Sequence, residues 1–431
     1  MTRLVEERSL VQGTVAPGFE PVRRVYERQL ETMAEENTQL CVYYKGERVV
    51  DLWASRANDP SFSPDSLVNV FSSGKSLAAI AIASLVGDGL LGYETRLVDV
   101  WPEFGGEGKD DLTVADVLRH EGGMAAFRTS LDPEDLLTEK IKENRIGRII
   151  EGHPVRFRDG EPGQREYHAV TRGWILNEVF RRVDPAGRTI GQFLKEELRD
   201  PLGADAVIGV EEHELARISP LSPLGLGFEF RESLRPRALG RRVPHNVFQI
   251  LGRVLRVLPW MRKATTRGVP PPFTGMRGVE FFNERVVAMG ETPSAAATCS
   301  ARGLGKIAAM MAGRGKWEGR EYLRGSGWDA MHADPVLAEM GFSATRFTQG
   351  GVNAFVEVGA QSSRLDSALN AGREGFYGWM GLGGSLFQWH PEYEIGFAFV
   401  PTALHVLDIV NERGKVYQAA VLRCVRELGE R

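Results

Sequence analysis

The chain has 431 residues, 42% of them hydrophobic and 26% charged, which is the balance of an ordinary globular protein and too long for one small core. The formal net charge of −4 gives no ground for expecting nucleic acid or an acidic partner. The three cysteines, Cys41, Cys299 and Cys424, lie far apart without metal-type spacing, so they read as reduced thiols of a cytoplasmic protein.

Met1 to Glu7 lacks the apolar core of a signal peptide, and no run of about 18 apolar residues predicts a membrane span. Phe19, Val22, Val25, Leu30 and Met33 recur at helical spacing and predict an amphipathic helix over 19–36. Two β-rich runs, Gln39 to Tyr44 and Val49 to Ala54, flank Lys45-Gly46-Glu47-Arg48 and predict a hairpin. A loop containing Pro60 and Pro64 leads to Ser72-Ser73-Gly74-Lys75-Ser76. Leu77 to Ala83 follows, apolar on every side, and predicts a buried helix that ends near Gly87-Asp88-Gly89. Thr113 is placed to cap a short helix stopping at Gly122-Gly123. Further helices are predicted over 134–151, 171–182, 188–199 and 301–313.

Residues 224–290 break the pattern. Between Arg231 and Arg267 there are ten Lys or Arg and one acid, Glu232. A flap or packing segment beside a site is expected here, in preference to membrane contact through 247–263. The last third turns to β character at Gly350 to Val358, Gly384 to Trp389 and Ile395 to Val400, and a closing helix is predicted over Val406 to Leu428. Strands at both ends of the chain around a helical middle predict an α+β fold: one sheet domain from 1–75 and 340–431, and a helical domain from 76–339 carrying the 224–290 excursion.

The chemistry centres on Ser72 and Lys75. At i and i+3 they share one face of the first turn of the buried helix, which sets a hydroxyl beside an amine. A lysine opening a buried helix needs a partner or a depressed pKa, which favours function over simple capping. A phosphate loop would need glycine at position 69, where the chain has Asn69. The G-x-S-x-G and H-E-x-x-H patterns are absent; His120-Glu121 and His213-Glu214 lack the second histidine, so no metal is expected.

In this order the motifs resemble those of the superfamily of serine β-lactamases, penicillin-binding proteins and family VIII carboxylesterases. Ser72 to Ser76 looks like its S-x-x-K-[ST] motif, and Leu118 to Met124 like its L-x-x-H-x-S/G-G-[LM] segment. Tyr167-His168-Ala169 resembles the Y-x-N position in its Y-x-A form, and Pro201-Leu202-Gly203 a common turn. Pro293-Ser294 with Ser300-Ala301-Arg302 resembles a segment of the esterase-like branch, and Trp379-Met380-Gly381 its W-x-G variant of K-T-G. The resemblance spans about residues 20–425 and is weakest over 224–290.

It implies the β-lactamase/transpeptidase-like fold, an antiparallel sheet flanked by terminal helices plus an all-α lobe. It implies Ser72 as nucleophile, Lys75 as base and Tyr167 as proton shuttle, the phenol's pKa needing to be lowered by Lys75. Backbone N–H groups of Ser72 and of Leu382, the latter on a strand edge, would hold the oxyanion. Trp379, Gly381, Gly383 and His168 complete the expected substrate-binding set, with His168 inclined to packing, and no cofactor is implied. Trp379 removes a cation and Ala169 an amide that a β-lactam would use. The expected substrate is therefore a small-molecule ester or acyl donor. The expected activity is ester hydrolysis through an acyl-enzyme, with acyl transfer to an alcohol or amine as the alternative. Amide hydrolysis and a non-catalytic scaffold are disfavoured.

Overall fold

The computed structural model describes residues 10–341, 343–359 and 362–430; Met1 to Glu7, read above for a signal peptide, lie outside them. Its frame is a nine-stranded antiparallel sheet. The strands are β1 (Val11–Val15), β2 (Asn37–Tyr44), β3 (Glu47–Ser55), β4 (Val336–Met340), β5 (Ser343–Phe347), β6 (Asn353–Ala354), β7 (Tyr377–Met380), β8 (Leu386–His390) and β9 (Ile395–Pro401). They run in the order β1-β3-β2-β9-β8-β7-β6-β5-β4. The first and last parts of the chain meet at β2–β9, where Phe397 lies opposite Val42 and Ala398 opposite Cys41.

Both faces of the sheet are covered, so the central strand β9 is apolar along its whole length and does not alternate with polar residues. Leu40 and Val42 of β2, with Phe397 and Phe399 of β9, pack toward helices α1 (Glu20–Thr32) and α7 (Glu412–Gly429). Cys41, Tyr43, Ala398 and Val400 point the other way, as the period of two requires. There α6 (Ala301–Ala312) lies flat on β2 and β9, so close that a Cβ on Gly396 would sit 2.3 Å from the Ala309 nitrogen. This helix falls within the 76–339 span yet covers the sheet.

Beyond α6 lies the helical part. Helix α2 (Lys75–Gly87) is buried over nearly its whole length and packs against α3 (Thr171–Val183). Thr113 caps Val114–Leu118 in a capping box with Asp116. The excursion contains α4 (Leu226–Ser233) and α5 (Val247–Lys263).

Several expectations need correction. Residues 134–151 form three short pieces, broken by extended Leu137 and left-handed Asn144. The 188–199 helix is α-helical only at Ile190–Phe193 and widens into a π turn at Leu194–Arg199. Of Gly350 to Val358, only Asn353–Ala354 pair. The closing helix begins at Glu412; residues 406–411 form a loop that lines the main cavity, ending on Asn411 at φ 50°. β1, β4, β5 and β7 went unpredicted.

Candidate active site

The site lies where the N-terminal end of α2 meets the end of β7. Ser72 belongs to a tight turn, Phe71–Gly74, that runs straight into α2. Phe71 is left-handed at φ 46°, and its N–H donates to Asn69 Oδ1 at 2.7 Å. Such a backbone costs about 1–3 kcal/mol and persists only when its surroundings fix it. Here it turns the Ser72 hydroxyl toward the cavity.

Lys75 is completely buried. Its Nζ lies 3.2 Å from Ser72 Oγ and donates to the carbonyls of Ala169 at 2.7 Å and Ser294 at 2.8 Å. No carboxylate pairs with it among the described residues. Burial, with Arg172 nearby, holds its pKa well below the usual lysine range. An uncharged amine has two N–H groups and one lone pair. The two carbonyls take the N–H groups, which leaves the lone pair for the Ser72 hydroxyl.

Tyr167 completes the group, its hydroxyl hydrogen-bonded to Ser72 Oγ. One expectation is reversed here. Burial pushes Tyr167 up to about 12, against the pull of the Ser72 hydrogen bond and of Arg172. A desolvated amine that is itself uncharged offers no cation to stabilise a phenolate.

The third strip is Gly381 to Ser385. The N–H groups of Ser72 and Leu382 donate to no acceptor among the described residues, although those of Ser73 and Gly381 do. The strip cannot tolerate side chains where it needs glycine. A Cβ on Gly381 would lie 2.2 Å from the Val70 carbonyl, and Gly383, at φ 78°, packs against Leu404. Leu382 sits in a short turn after β7, not on a strand edge as expected.

The chain that carries this serine, lysine and tyrosine has recognisable relatives. The Beta-lactamase family matches residues 22–420. The chain belongs to that family. Its 200-residue match to the esterase/beta-lactamase LipL of Mycobacterium tuberculosis (strain ATCC 25618 / H37Rv) is 34% identical, covering 46% of this chain and 44% of LipL. The chain therefore spans under half the length of that curated relative. A crystal structure of a penicillin-binding protein homolog from Caulobacter crescentus is 25% identical at TM-score 0.74, with 96% of this chain and all 100% of the other covered. A family VIII carboxylesterase structure is 25% identical at TM-score 0.73, covering 96% and 99%. The fold is accordingly the β-lactamase/transpeptidase-like one.

Within this family member, Trp379 is buried, and its Nε1 donates to the Gly351 carbonyl at 2.7 Å. Together with Ser72, Tyr167, Gly381, Leu382 and Gly383 it lines a cavity of about 570 Å³. No Lys, Arg or His lines that cavity among the described residues. His168 is the exception in the expected set: it does not line the cavity. Its Nε2 accepts the Met124 N–H at 3.1 Å, and its Nδ1 lies 2.6 Å from the Glu166 carbonyl. It fastens the Tyr167 loop from behind.

Sequence reasoning missed four supporting residues. Arg172, fully buried, donates to the carbonyls of Leu118, Lys75 and Gly351, and burial draws its pKa down to about 9. Ser385 Oγ donates to the Val70 carbonyl at 2.7 Å and lies 3.0 Å from Ser73 Oγ, joining the strip to the nucleophile turn. Asn411 Nδ2 donates to the carbonyls of Gly381 and Ser385. Arg413 donates to those of Gly383 and Ala403. An arginine amid Gly173-Trp174-Ile175-Leu176 was the one available signal, a charge on an otherwise buried helix.

Proposed function

We propose that this protein is a serine hydrolase that cleaves a neutral, apolar carboxylic ester through an acyl-enzyme on Ser72. The observation that carries the reading is the Lys75 amine, denied a counter-ion and tied by two carbonyls so that its lone pair meets Ser72 Oγ. Lys75 takes the hydroxyl proton as Oγ attacks the ester carbonyl, so the alkoxide never has to form free in water. The oxyanion is received by the N–H groups of Ser72 and Leu382, each worth about 3–4 kcal/mol in the transition state. Tyr167 gives its proton to the departing alkoxide and is reprotonated by the Lys75 ammonium. Water then attacks the acyl-enzyme by the same route in reverse.

A cavity without a cation, walled by Trp379, supports a substrate without a carboxylate. The likeness to a family VIII carboxylesterase supports an ester, and the likeness to LipL, an esterase/beta-lactamase, accords with it. Acyl transfer is favoured by one feature. Trp260, Pro272, Met276, Val279 and Phe282, all from the 224–290 segment, wall the cavity with apolar surface, and exclusion of water from an acyl group there would favour transfer. The buried free thiols support a reducing compartment such as the cytoplasm.

Ser72→Ala tests the reading. Hydrolysis of p-nitrophenyl butyrate should fall to background, and a fluorophosphonate should label the wild-type chain at Ser72 alone. Activity retained by the alanine variant overturns the proposal. Adding butanol and analysing the products separates transfer from hydrolysis.

A further inference from the structure

Helix α5 carries apolar residues outward as well as inward. The apolar side of a surface helix normally faces the protein, yet here Phe248, Leu251, Leu255 and Leu258 point to solvent, 80%, 48%, 69% and 41% exposed. They recur at steps of three and four and form one continuous stripe. The inward side carries Ile250, Arg253, Val257 and Trp260, and the Arg253 guanidinium reaches the Leu407 carbonyl. Helix α4 repeats the arrangement with Leu226, Phe230 and Leu234, exposed by 63%, 48% and 57%. Both helices are held by the same loop, since Glu229 of α4 accepts the N–H groups of Val406 and Leu407. Just before α5, His245 Nε2 lies 3.1 Å from Asp408 Oδ1.

The surroundings of the stripe are basic. Ten Lys or Arg stand against Glu232 alone between Arg231 and Arg267. Arg237, Arg256 and Arg262 are exposed and pair with no carboxylate among the described residues. Two copies meeting through this face across a two-fold axis would bring these cations together. An anionic bilayer complements both features, taking the apolar stripe among its acyl chains and the guanidinium groups among its phosphates. The end of α5 also leads to the cavity, because Trp260 forms part of its wall, as do Met340 and Leu382.

We propose that α4 and α5 dock the protein on an anionic lipid surface with the cavity mouth at the interface. The sequence alone favoured a flap because periodicity shows that a helix has an apolar side without showing which way that side points. The proposal concerns binding only and stands apart from the acyl-enzyme chemistry.

The experiment is flotation of the full chain with vesicles of phosphatidylcholine, with and without phosphatidylglycerol. Retention is expected only on phosphatidylglycerol vesicles and should weaken with salt. Phe248→Asp with Leu255→Asp should reduce it by more than about tenfold, with an unchanged melting curve as the check on folding. Arg256→Glu with Arg262→Glu should weaken it independently. No retention of the wild-type chain, or equal retention of both double variants, overturns the proposal. A solution dimer dissolved by the Asp pair, with vesicle binding unaffected, assigns the face to a second copy instead.

Discussion

Lys75 Nζ has two fixed acceptors in the carbonyls of Ala169 and Ser294, and neither can move without moving the loop that carries it. The pH dependence of the proposed reaction follows. A depressed lysine is a competent base only when deprotonated, so kcat/KM should rise with pH through the lowered Lys75 pKa. It should then stay level until Tyr167, at about 12, begins to ionise. A profile measured from acid to mildly alkaline conditions checks this; a descending limb near neutrality would mean a second ionisable group in the mechanism. Lys75→Met keeps the volume and removes the base. It should stay folded and lose about 10²–10⁴ in kcat, read by single-turnover acylation. The Ser72–Lys75 pair was legible because its spacing and apolar setting are local. The Tyr167 pKa was not, because it depends on how deeply a distant loop is buried.

At the scale of elements, the site is a meeting of one helix start with one strand end. The nucleophile turn was readable from the apolar run after Lys75, and the glycine strip only from its resemblance to a known motif. Its geometry came out differently: Leu382 opens a short turn after β7. Proline is tolerated at the first position of such a turn but has no N–H to offer. Leu382→Pro should therefore cost about 10²–10³ in kcat, with little change in KM, while Leu382→Ala retains the donor and most of the rate. Equal losses in the two variants would move the oxyanion donor elsewhere. The strands β4, β5 and β7 escaped prediction because they are short and carry no sustained alternation. Their pairing is imposed by neighbours brought from elsewhere in the chain.

Across the whole molecule, the two ends of the chain are tied together behind the site. Arg413 and Glu35 form an ion pair at 2.7 Å, both side chains wholly buried. Arg413 also holds the Gly383 carbonyl, so one guanidinium serves stability and the site together. Arg413→Met should cost about 3–5 kcal/mol, since Glu35 is left buried without a cation, and should also slow the reaction. Burial already holds Glu35 above the usual carboxylate range, and losing Arg413 raises it further. A raised folded-state pKa lowers stability as pH climbs through it, so the deficit should be greatest at neutral pH and shrink in acid. Melting curves at several pH values test this.

The hydroxyls of Ser73 and Ser385 meet at 3.0 Å across the junction of early helix and late sheet. A covalent phosphonate on Ser72 with its oxygen seated at the Leu382 amide would act as a rivet through that same seam. Inhibitor occupancy would then register as heat resistance of the entire chain, which makes thermal denaturation a chemistry-blind way to screen for the molecules this cavity accepts.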